Sequence, residues 1–128
     1  MFKQIYLFLR AFKYAGLGIK EGSKQRSFFV QIFCAGLAIF LGMFFRINTQ
    51  EWLALVICIG GVLSAEVMNT AIEEVCNVLR EEKLISYEKL GLPKDLAAGA
   101  VLLMSITSVL VGLIIFLPKI LTLLVIKL

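Results

Sequence analysis

The chain has 128 residues, 60% of them hydrophobic, and a net charge of +4. Water-soluble domains carry about 45–50% on a similar count, so in a chain long enough for one domain the excess has to face lipid. There is no histidine, which excludes histidine triads and histidine metal sites; Cys34, Cys58 and Cys76 lack CxxC spacing, which argues against a zinc clip or disulfide framework and for buried reduced thiols.

Residues 1–24 set Phe2, Ile5, Tyr6, Leu9, Phe12 and Leu17 at helical spacing, with Lys3, Arg10, Lys13 and Lys20 between them. This pattern predicts an amphipathic helix lying in the membrane interface rather than a mobile basic tail. The stretch lacks the long uncharged centre of a cleavable signal peptide.

Three segments then reach the length of roughly 20 apolar residues that a helix needs to cross a hydrocarbon core. The first covers residues 27–46 and is broken only by Gln31. The second begins at Trp52, carries Glu66 and Asn69 near its far end, and is expected to leave the membrane as a helix through Leu79. The third covers residues 95–117 and is expected to stop at Pro118-Lys119, leaving residues 118–128 as an apolar tail that extends the helix after a kink or lies along the surface. Three spans cannot close a barrel, so an all-α protein with three transmembrane helices is predicted. The six basic residues from Lys3 to Arg26 and the four at Arg80, Lys83, Lys89 and Lys94 flank one side; Arg46, Lys119 and Lys127 flank the other. That bias places the N-terminus and the second connection in the cytoplasm.

Glu66 is the most informative residue. A carboxylate inside a span is costly, and its default reading is functional. Asn69 and Glu73 follow at i+3 and i+7, so the three share one helix face and descend about 10 Å along the axis toward the cytoplasmic surface. Such a stripe suits a reaction between a membrane-bound hydroxyl and a soluble phosphate donor. Glu66, deep and poorly solvated, is the candidate general base. Glu73, shallower, is the candidate magnesium ligand, with Asn69 orienting either group. The structural alternative for the same stripe is polar glue between helices. No GxxxxGK(S/T) loop, kinase-type glycine loop, HRD or DFG triplet is present.

The run Glu66-Val67-Met68-Asn69-Thr70-Ala71-Ile72-Glu73 resembles the signature E-x-x-N-(S/T)-A-I-E of the small bacterial diacylglycerol kinase and undecaprenol kinase family. Lys94-Asp95-Leu96-Ala97-Ala98-Gly99-Ala100-Val101 resembles its second signature, and Arg10-Ala11-Phe12-Lys13-Tyr14-Ala15 resembles its interfacial-helix motif. The resemblance implies a homotrimer in the bacterial inner membrane, with active sites between subunits that transfer the γ-phosphate of MgATP to a lipid alcohol. It implies Glu66 as base, Asn69 as an active-site polar residue, Glu73 as metal ligand, and Tyr14, Lys94, Asp95 and Arg10 as nucleotide-binding residues. The second signature looks closer to the undecaprenol branch, with diacylglycerol as the alternative acceptor.

The family usually carries E-x-N-x-R-x-H before the first span, its glutamate being a second metal ligand. Here the stretch reads Gln25-Arg26-Ser27-Phe28-Phe29-Val30-Gln31, and an aspartate usual four residues after the second signature glutamate is Asn77. Glu21 is then the candidate second carboxylate, its rival being Arg26 acting directly on phosphate. A non-catalytic relative that binds nucleotide or lipid is the alternative function, and a small channel or transporter subunit a third.

Overall fold

The computed structural model describes residues 2–126, all of them in four helices and the short links between them: α1 (Phe2–Gly22), α2 (Arg26–Phe44), α3 (Thr49–Glu81) and α4 (Tyr87–Ile126). The last three are long and apolar enough to cross a membrane. No strand occurs among the described residues. Only 11%, 17% and 11% of the most apolar windows of α2, α3 and α4 are buried within the single chain, so most of their side chains face outward, as lipid-facing helices do.

The two links at the spans are built by helix-end chemistry. At the end of α2, Arg46 takes φ 49° and Ile47 donates its N–H to the Gly42 carbonyl at 3.1 Å while Arg46 donates to Met43 at 3.2 Å. At the end of α3, Lys83 takes φ 53°, with Leu84 donating to Leu79 at 3.1 Å and Lys83 to Arg80 at 3.0 Å. Both are Schellman closures with a basic residue where glycine is usual. The left-handed backbone is costly for these residues, but their charge sits at the negative end of the helix dipole.

Asn48 opens α3 with a capping box: its side chain accepts from the Glu51 N–H at 3.0 Å, and the Glu51 carboxylate accepts from the Asn48 N–H at 2.8 Å. The other Glu51 oxygen accepts from Lys119 on α4 at 2.6 Å. Just beneath, Ile47, Leu55, Ile115 and Phe116 form the buried core, with Leu41, Phe45 and Trp52 against it. The tightly packed end of the bundle is therefore where α2 turns into α3, with α4 closely packed along α3. At the opposite end, α1 meets α3 through the buried Gly22, whose missing Cβ would lie 3.3 Å from a Val67 methyl.

Two expectations need correction. The third span does not stop at Pro118: of the two alternatives for the apolar tail, extension of the helix is the one found, α4 passing through Pro93 and Pro118 as far as Ile126. A proline removes one helical N–H, but in an apolar tail the helix still satisfies the remaining backbone groups, and Thr122 donates to the Pro118 carbonyl at 2.9 Å. Of the thiols, Cys58 and Cys76 are buried, but Cys34 is exposed, because it lies on the α2 face that lines an open cavity shared with α3 and α4.

Gly42 has no room for a side chain: an added Cβ would lie 2.9 Å from the Trp52 ring and 3.0 Å from Ile47. Gly42→Val should therefore destabilise the protein by about 1–3 kcal/mol, the usual cost of overpacking. Gly36→Ala, with nothing within 4 Å, should leave stability unchanged or raised. Thermal unfolding in detergent reads both.

Candidate active site

Glu66 lies about 25 Å along α3 from Thr49, at the level where α2 begins. It is only 3% exposed and is the buried charged residue among those described. Two donors from the first turns of α2 reach it. The Ser27 hydroxyl donates to one carboxylate oxygen, and the Gln31 amide donates to the other at 3.1 Å. A carboxylate only accepts, so the amide must turn its NH2 side to Glu66. Its own carbonyl oxygen is then buried with no hydrogen-bond partner among the described residues.

Farther along the same face, the Asn69 amide donates to Glu73 at 3.2 Å, and Asn69 Oδ1 is likewise buried without a partner. The next residue on the face is Asn77, which accepts from Lys94 of α4 at 2.9 Å. Asp95 beside it is exposed. The stripe expected from spacing thus carries three separate hydrogen-bonded groups, Glu66 with Ser27 and Gln31 of α2, Asn69 with Glu73, and Asn77 with Lys94 of α4.

The α1 residues stand apart from these hydrogen-bonded groups. Residues 4–21 are all exposed. Arg10 donates to the Tyr14 hydroxyl at 2.9 and 3.1 Å and lies over its ring at 5.3 Å from the centroid. Both oxygens of Glu21 accept from Lys24, at 2.8 and 2.6 Å. Among the described residues no three acidic or cysteine side chains come together as a metal cluster.

Between α2, α3 and α4 lies a cavity of about 600 Å³. Ser27, Gln31, Ser105 and Ser108 are its polar lining residues; Cys58, Val62, Val109 and Phe116 are among its apolar walls. Sequence reading missed Ser27 and Gln31 as site residues. The signal was present: Gln31 is the one strongly polar side chain interrupting the first span, and the amphipathic demand of a buried carboxylate on α3 is a donor on a neighbour.

Fold and site together define a multi-pass, all-helical membrane protein with a carboxylate buried between its spans. The family profile described as prokaryotic diacylglycerol kinase matches residues 13–116. An undecaprenol kinase of Bacillus subtilis is 34% identical over 113 residues, which cover 88% of this chain and 89% of the relative. A diacylglycerol kinase of Synechocystis sp. is 35% identical over 121 residues, covering 91% of this chain and 66% of the relative's own length. No solved structure matches. The chain belongs to the prokaryotic diacylglycerol kinase family and is a membrane lipid kinase.

If Asn77 serves to hold Lys94, Asn77→Leu should lower lipid-kinase kcat/KM roughly tenfold, the scale of one hydrogen bond to a charged group. Asn77→Asp, which still accepts from Nζ, should keep activity close to that of the parent chain. Steady-state phosphate transfer in mixed micelles measures both.

Proposed function

We propose that the chain transfers the γ-phosphate of ATP to the hydroxyl of undecaprenol, with diacylglycerol as the next acceptor. The observation that carries this reading is a carboxylate, Glu66, buried behind Ser27 and Gln31, which line an apolar cavity. The acceptor's hydrocarbon chain lies in that cavity and its hydroxyl at the Ser27 and Gln31 end. Glu66 takes the hydroxyl proton as the oxygen attacks the γ-phosphorus. The bond to the bridging oxygen breaks, ADP leaves, and the products are the lipid phosphate and a protonated Glu66 that returns its proton to water. The relative named undecaprenol kinase covers most of both chains, which favours that acceptor.

Lys94 and Asp95, at the far end of the stripe, bind the nucleotide together with Tyr14 and Arg10. Magnesium fits the donors available: Glu73 has a free carboxylate oxygen, and the orphaned Oδ1 of Asn69 lies on the same face. Oxygen atoms are what this hard cation prefers, and when bound it neutralises charge on the phosphates. Glu73 is the principal ligand in this reading. Glu21 supplies a second carboxylate only by exchanging Lys24 for the metal, and Arg26 at the start of α2 is its rival as a direct phosphate contact.

The active assembly we propose is a homotrimer in the inner membrane with a cytoplasmic N-terminus. The large outward apolar area of α2–α4 and the exposure of Arg10 and Tyr14 support it, since a neighbouring copy can bring α1 onto the stripe.

Glu66→Gln should abolish phosphorylation while the protein still folds and assembles, because loss of a positioned base costs about 10²–10⁴ in rate. The assay uses radiolabelled ATP with undecaprenol and diacylglycerol offered in parallel. Activity within about threefold of the parent would remove Glu66 from the mechanism, being far smaller than the loss of a base. Orientation is read separately, in a Cys-free background. A cysteine at Glu82 should react with an impermeant thiol reagent only in opened cells, and one at Asn48 from outside; the reverse pattern would move the stripe away from cytoplasmic ATP.

A further inference from the structure

We infer that Ser27 and Gln31 are positioning residues for Glu66, a deepening that rests on the reading of Glu66 as the base. The two side chains come from one face of α2, four residues apart, and each engages a different oxygen of the same carboxylate. Two donors from one rigid helix fix both the position and the rotation of the carboxylate plane, whereas a single donor leaves the plane free to turn. Gln31 turns its amide toward Glu66 even though this strands its own carbonyl in a buried position. An amide selected only to glue α2 to α3 would be expected to satisfy both of its ends. Both residues also line the cavity between α2, α3 and α4, so they stand between that cavity and the carboxylate they hold. α2 therefore acts in catalysis without touching the phosphate: it sets the direction in which the base faces.

The test separates aim from packing. Gln31→Leu keeps the volume and removes the donor; Ser27→Ala removes the hydroxyl, and Ser27→Thr restores it. Each donor-free variant should lower kcat by roughly 10–100-fold, the scale of misplacing a catalytic group by about 1 Å. The apparent KM for ATP and the melting temperature in detergent should change little, and Ser27→Thr should recover most of the lost kcat. The proposal is overturned if both donor-free variants retain the parent kcat. It is equally overturned if activity falls only in step with the loss of folded protein and Ser27→Thr behaves as Ser27→Ala does. Glu66→Gln is run beside them. If that variant is active, the base assignment fails first; if it is inactive while the α2 variants are unaffected, the positioning role alone fails.

Discussion

A carboxylate withdrawn from water between transmembrane helices is the constraint around which this protein is arranged. Placing an acid in a span costs about 2.5–3.5 kcal/mol on insertion scales. Hydrogen-bond donors recover part of that cost, and they must come from a neighbouring helix, because the backbone of α3 is already committed to itself. Ser27 and Gln31 at the start of α2 supply them. That demand sets the level at which α2 packs along α3 and keeps the polar residues of the two helices together.

The rest of the molecule divides its tasks along the bundle axis. The end near Asn48 is closed: a capping box, the Glu51–Lys119 ion pair and the Ile47, Leu55, Ile115 and Phe116 core bind α2, α3 and α4 to one another. The end near Glu66 is open, with α1 attached through Gly22 and a polar stripe running out to Asn77 and Lys94. Rigid packing is thus concentrated away from Glu66, and the polar contacts of the spans collect at the opposite end of the bundle.

Helix number, helix type and the polar stripe were legible in the sequence because each rests on a local rule. Apolar length gives the spans, and a repeat of 3.6 residues puts Glu66, Asn69 and Glu73 on one face. What was not legible depends on contacts between helices. No spacing rule says that Ser27 and Gln31 meet Glu66, since the partners are 39 and 35 residues apart. Pro118 misled for a related reason: a proline is a strong stop signal in water, but in an apolar surrounding the helix that follows is still the cheapest state of the backbone. Arg46 and Lys83 hid two Schellman closures by standing where glycine would have announced them.

The wide apolar circumference of α2, α3 and α4 has a kinetic meaning as well as a structural one. For an enzyme embedded this way, the acceptor is not a solute that arrives from water but a component of the solvent itself. Its encounter rate is set by lateral diffusion in two dimensions and by its mole fraction among the surrounding lipids, not by its amount per litre. Diluting the bilayer with inert lipid or detergent at constant total acceptor therefore slows such an enzyme as surely as removing substrate does, while the ATP of the proposed reaction is an ordinary three-dimensional reactant. One chain thus answers to two different measures of concentration, one for each of the molecules it joins.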